Sequence, residues 1–86
     1  MAAVISGAVR DADGNPVANA RIAFVGAPVD VPDIAALTDS AGRFALSAPA
    51  PGRYVIGCYA EGYSPATVAV DVADVDAYHI EVHLKA

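Results

Sequence analysis

Arg53-Tyr54-Val55-Ile56-Gly57-Cys58-Tyr59-Ala60 is the stretch whose reading decides the fold. Tyr54, Ile56 and Cys58 occupy alternate positions. A period of two sends them to one side of a strand and leaves Tyr59 on the other. The segment is bounded by Ala48-Pro49-Ala50-Pro51-Gly52 before it and Glu61-Gly62-Tyr63-Ser64-Pro65 after it. Both are breakers, because proline withholds a ladder donor and glycine accepts turn dihedrals.

The same alternation recurs in both directions from this segment. Upstream, Phe44 and Leu46 follow Asp39-Ser-Ala-Gly-Arg43, a tight hairpin signal with polar residues ahead of glycine. Ile34 to Thr38 reads either as a short strand or as one helical turn through Ile34-Ala-Ala-Leu37. Gly26 to Pro32, with two prolines, reads as the longest irregular loop. Ala20, Ile22 and Phe24 alternate before it, and Asp11-Ala-Asp-Gly-Asn-Pro16 separates them from a first strand, Ala3 to Arg10, with Ile5, Gly7 and Val9 on one face. Downstream, Val68, Val70 and Val72 alternate with Ala69 and Asp71. After Ala73-Asp-Val-Asp76, the last strand sets Ile80, Val82 and Leu84 against His79, Glu81 and His83. Seven short segments at roughly ten-residue spacing, each with one apolar face, predict two sheets packed about 10 Å apart.

Composition agrees. Residues 1–86 suffice for one domain and are too few for two. Hydrophobic residues make up 56% of the chain, with valine, isoleucine and alanine prominent, so a small core has ample material. The formal charge of −5, with Arg10, Arg21, Arg43, Arg53 and Lys85 dispersed, argues against a nucleic-acid surface and against anionic membranes. Apolar runs are far shorter than the roughly 20 residues of a spanning helix. The N-terminal residues lack the basic and long apolar regions of a secretory signal. The expected location is therefore cytoplasmic, unless the chain is excised from a larger exported protein. Cys58, the one cysteine, lies in an apolar run and reads as a small buried hydrophobe.

The order of turns and inward residues carries a resemblance. Ile5-Ser-Gly7-Ala-Val9-Arg-Asp11 is followed by Gly14-Asn-Pro16-Val17-Ala-Asn-Ala20-Arg-Ile22. Then come Thr38-Asp39-Ser-Ala-Gly42-Arg-Phe44, Pro51-Gly52-Arg-Tyr54 and Glu61-Gly62-Tyr63. Over about residues 4 to 85 this resembles the carboxypeptidase regulatory-like domain family. The resemblance implies an all-β fold: a seven-stranded antiparallel β-sandwich with Greek-key connections, transthyretin-like (prealbumin-like). It also implies a non-catalytic module that supports, spaces or contacts other proteins. Two fold relatives carry chemistry, and this chain departs from both. It ends His83-Leu-Lys-Ala86 where hydroxyisourate hydrolases have Tyr-Arg-Gly-Ser, and its first strand lacks the lysine of isopeptide-forming adhesin repeats. Gly14, Gly42 and Gly52 are expected in left-handed dihedrals, and the Tyr54 hydroxyl is expected to reach a loop carbonyl.

Catalytic and metal readings fail on spacing. His79-Ile-Glu-Val-His83 on a strand sets the two histidine backbones about 13 Å apart, too far for two ligands of one metal without other elements. Asp11-Ala-Asp-Gly-Asn15 has its glycine at the fourth position and Ile22 at the twelfth, so it reads as a turn and not a helix-loop-helix calcium loop. Asp71, Asp74 and Asp76 read as a solvated acidic turn. Ser6, Ser40, Ser47 and Ser64 sit in no glycine-flanked elbow, and no glycine-rich loop leads into a helix. No cofactor is expected.

Two contact surfaces remain. The loop from Ala27 to Ile34 interleaves Val29, Val31 and Ile34 with Asp30 and Asp33, and loops at sandwich ends commonly carry recognition. A protein or a neighbouring domain is the expected partner. The alternative is carbohydrate, met by Tyr59, Tyr63 and Tyr78. Unpaired edge strands leave a homodimer by strand addition open.

Overall fold

Alternation becomes pairing in the computed structural model, which describes residues 3–30, 35–73 and 77–85. The strands in chain order are β1 (Ala3–Arg10), β2 (Arg21–Gly26), β3 (Ala36–Leu37), β4 (Arg43–Ala48), β5 (Gly52–Tyr59), β6 (Ala66–Val72) and β7 (Ala77–His83). They form two sheets, ordered β4-β1-β7 and β3-β2-β5-β6. No described helix is long and apolar enough to cross a membrane. The Ile34–Thr38 segment resolves as strand at Ala36 and Leu37; Ile34 lies outside the described residues.

The inward residues expected from alternation meet between the sheets. Ile5 and Val9 of β1, Val82 of β7 and Leu84 beyond it face Ile22 of β2 and Ile56 of β5, and all are buried. Phe24, Val68 and Ile80 pack at the margin, partly exposed. Tyr54 is fully buried, with its ring 5.0 Å from that of Phe24. Burying a ring of this size contributes roughly 2–3 kcal/mol, and an unpartnered hydroxyl would cancel much of it. Its hydroxyl instead donates to the Ala50 carbonyl at 2.6 Å and accepts from the Ala50 N–H at 3.2 Å, so the expected loop carbonyl belongs to Ala50.

Two features of the pairing lie outside what alternation predicts. Every ladder is antiparallel except β1 with β7, which run parallel in the register Val4↔Ala77 through Arg10↔His83. A half-buried strand alternates identically in either orientation, so the pattern holds no trace of direction. The Asp39–Arg43 hairpin signal does form a tight turn. The strands it joins, β3 and β4, nevertheless belong to different sheets. The turn therefore carries the chain across the sandwich.

The crossing satisfies its own backbone. Thr38, 3% exposed, donates its hydroxyl to the Val17 carbonyl at 2.7 Å and accepts the Ala20 N–H at 2.9 Å. Its backbone N–H donates to the Ala20 carbonyl, and its carbonyl accepts the Asn19 N–H. Asp39 Oδ1 accepts the N–H groups of Ala41 and Arg43, each at 2.9 Å. Gly42, at φ +75°, donates to the Asp39 carbonyl and accepts from Val9. A Cβ there would stand 2.5 Å from the Val9 carbonyl oxygen, so both dihedral and space require glycine. Asp11 builds the same turn. Its Oδ1 accepts from Asp13 and Asn15, and Gly14 at φ +86° donates to its carbonyl. Gly52 also takes a positive φ.

Thr38→Val removes a hydroxyl that serves one donor and one acceptor while keeping the side-chain volume. It should destabilise the fold by about 2–3 kcal/mol in urea unfolding, with Thr38→Ser losing less than half of that. Cys58, 1% exposed, has its thiol pushed up by burial from its ordinary value of 9.0. The native state therefore keeps that proton to higher pH than the unfolded chain does. The resulting stability is complete below the unfolded value and is lost as pH rises through the raised native one. Urea titrations on both sides of that range should show this loss in the native sequence and a shallower one in Cys58→Val.

Candidate contact surface

The two outer faces of the sandwich differ in chemistry. On β4-β1-β7 the outward residues are mostly polar or small: Ser6, Ala8 and Arg10 on β1, flanked by Arg43 on β4 and by His79 and Glu81 on β7, with Val4 at the start of β1 the one large hydrophobic exposed there among the described residues. Glu81 lies 3.7 Å from Arg10 and 3.8 Å from His79, in exposed pairs worth little stability. His79 and His83 both stand on this exposed strand face. Among the described residues, no group of three or more His, Cys, Asp or Glu side chains is placed to hold a metal.

The outer side of β3-β2-β5-β6 carries Arg21, Arg53, Thr67 and Asp71, with Arg53 opposite Asp71, and also most of the exposed apolar bulk. Among the described residues five large hydrophobics are exposed, and four of them gather here: Leu37 (63%), Val25 (52%), Tyr59 (43%) and Val29 (43%). Register assembles the first part of this surface. Leu37 on β3 lies opposite Arg21 on β2, which lies opposite Tyr59 on β5, so three side chains form a row across three strands. One step along, Ala23 pairs with Gly57 and Gly57 with Thr67. A Cβ on Gly57 would come within 2.9 Å of Val25 and 3.0 Å of the Tyr59 hydroxyl. The missing side chain at Gly57 therefore lets Val25 and the Tyr59 ring close over the sheet from opposite ends. At Val25 itself a bulge between Phe24 and Gly26 interrupts the regular register, and Val29 and Asp30 border a second hollow with Val25.

The row opens into a shallow cleft of about 580 Å³ at the sheet's end, where Asn19, Glu61, Tyr63 and Pro65 join Arg21, Leu37 and Tyr59. Tyr59 and Tyr63, expected as sugar contacts, thus share one cleft. Tyr78 does not line it. That side chain is half-buried on the other sheet, packs against the core, and accepts the Ala73 N–H at 2.6 Å with its hydroxyl. Of the expected contact loop, Val29 and Asp30 are exposed, and Val31, Asp33 and Ile34 lie outside the described residues. Pro28 anchors the start of that loop against Gly52, where a Cβ would meet its ring at 2.5 Å. Reading for catalytic types passes over Leu37, Arg21 and Val25, because their meaning comes from cross-strand register.

No curated protein sequence matches the chain significantly. Solved structures share its fold. The major pilin subunit BcpA of Bacillus cereus superposes with a TM-score of 0.78 at 15% identity, over 99% of this chain and 30% of the pilin. Chlorocatechol 1,2-dioxygenase from Pseudomonas putida gives 0.74 at 13% identity, over 100% of this chain and 61% of the enzyme. A candidate carbohydrate binding protein from Pseudomonas aeruginosa gives 0.63 at 18% identity, over 98% of this chain and 88% of that one. The chain therefore spans less than two thirds of the pilin and of the dioxygenase, and at these identities the likeness is one of fold alone. The sequence itself goes further: the model of the carboxypeptidase regulatory-like domain family matches residues 4–85, and the chain belongs to that family.

Proposed function

We propose that this domain is a non-catalytic accessory module that acts through protein contact. The supporting observation is the unequal share of exposed large hydrophobics among the described residues: Leu37, Val25, Tyr59 and Val29 on the side of the larger sheet against Val4 alone on the other. Exposed apolar side chains gathered on one face mark association surfaces. Tyrosine and arginine are the side chains that most often dominate such contacts, and Arg21 stands between Leu37 and Tyr59 in a chain of net charge −5. The partner that fits is a protein or neighbouring domain presenting apolar side chains around a carboxylate. The pilin likeness is compatible with this reading, since it shows the same sandwich built into a subunit of a larger assembly.

The cleft supports a second reading. Tyr59 and Tyr63 offer aromatic surface, with Asn19, Arg21 and Glu61 beside them to meet hydroxyl groups, a combination suited to a saccharide ring. The likeness to the Pseudomonas aeruginosa protein favours the same ligand class.

Two experiments separate the readings. A photo-reactive amino acid at Leu37, with the domain in its native context, should give one discrete protein adduct that Arg21→Glu abolishes. The same probe at exposed Ser47 should not. Equal adducts from both positions would count against the contact reading. On a glycan array, binding that disappears in Tyr59→Ala establishes the saccharide reading, and a blank array removes it.

A further inference from the structure

Four strands lie at sheet edges, β4 and β7 in one sheet and β3 and β6 in the other. An exposed edge invites pairing with another chain unless something blunts it. β3 is only two residues long. β7 carries exposed His79, Glu81 and His83, and β4 begins with Arg43 at the crossing turn. β6 is longer than β3 and β4, and its one charge, Asp71, contrasts with the three ionisable side chains exposed on β7. It has seven residues, Ala66–Val72, with no lysine, arginine or proline, and it pairs with β5 without a register shift. Just ahead of it, the Ser64 N–H donates to the Lys85 carbonyl at 2.7 Å and closes the gap to the other sheet. Along Ala66–Val72, β5 is the only strand paired with β6 among the described residues.

The side chains of β6 also suit one particular occupant. Thr67, Ala69 and Asp71 face outward, and Val70 and Val72 are buried while Val68 is half-buried. We propose that β6 pairs antiparallel with β6 of a second copy of this chain, across a two-fold axis at Ala69. In that register Ala69 meets Ala69, small enough for close approach. Val68 lies opposite Val70, which covers the half-buried Val68. Thr67 lies opposite Asp71, so a hydroxyl donor faces a carboxylate twice. An axis at Asp71 would oppose two carboxylates, and an axis at Val70 would set Asp71 against Ala69. The pairing joins two four-stranded sheets into one of eight and makes the Leu37–Arg21–Tyr59 surface bivalent. It is independent of whether that surface meets protein or saccharide. A single edge ladder buries less than a standard interface, so the dimer is weak and concentration-dependent.

Light scattering and sedimentation from micromolar to about millimolar protein should show the mass rising from one chain to two. Thr67→Lys places a cation opposite Asp71 twice and should tighten association by about three- to tenfold. Thr67→Asp should weaken it by a similar factor, and salt should shrink both effects. Opposed residues of an antiparallel ladder stand at disulfide distance, so Ala69→Cys should oxidise to a covalent dimer while Ser47→Cys does not. A monomer mass up to about 1 mM together with no covalent Ala69→Cys dimer overturns the proposal. So does an association that both Thr67 variants leave unchanged.

Discussion

The chain must cross from one sheet to the other while its backbone stays out of water, and the buried hydroxyl of Thr38 makes that crossing possible. A backbone group stripped of water and left unpaired costs about 1–3 kcal/mol, a large part of the stability of so small a domain. Around Thr38 the Val17 carbonyl and the Ala20 N–H both face this problem. One hydroxyl answers both, acting as donor to the first and acceptor from the second. Asp39 and Gly42 then reverse the chain within a few residues, so that Phe44 enters the opposite sheet. The same turn fastens β1, because Val9 donates to Gly42 and accepts from Val17. Three segments distant in sequence are thereby held at one end of the sandwich, and the positions of β1, β2 and β4 follow from that junction.

With its inner faces determined in this way, the domain can vary only what points outward. The central strand β1 presents Val4, Ser6 and Ala8, with Arg43 on β4 and His79 and Glu81 on β7 beside the last two, which gives a largely polar face. Besides Arg21 and Arg53, β2 and β5 present four apolar residues, Ala23, Val25, Val55 and Tyr59. None of these four is required by the core, since their alternation partners Ile22, Phe24, Tyr54, Ile56 and Cys58 already fill it. Exposed apolar groups that the fold does not need point to what the fold is for, and this is why the outer face of the larger sheet bears the functional reading.

Most of the sandwich was legible in the sequence because alternation is a direct imprint of a half-buried strand. Ile5 and Val9, Tyr54 and Ile56, and Val82 and Leu84 are inward as their spacing requires. Legibility stops where a property belongs to two strands at once. The parallel direction of β7 beside β1 leaves no mark within either segment. The Asp39 turn looks the same whether its flanking strands pair or part. Tyr59 faces outward by parity, but its place in a row with Arg21 and Leu37 depends on the registers of β2 with β3 and with β5. Tyr78 carried the same residue-type signal as Tyr59, yet it shares the inward parity of Ile80 and Val82, packs against the core, and has its hydroxyl tied to the Ala73 N–H.

The acidic residues show why residue type is a poor guide to chemistry in this fold. Asp11 and Asp39 sit in glycine-containing turns of a kind that suggests cation binding. In both turns, however, one carboxylate oxygen already accepts two backbone N–H groups, and the backbone carries the chain onward through a left-handed glycine. A cation there would compete with the hydrogen bonds that form the turn, so gaining the ion would mean loosening a junction of the fold. In a sandwich this small the polar side chains near the core are committed to closing backbone hydrogen bonds. On the contact reading proposed above, recognition is left to the side chains that structure does not use.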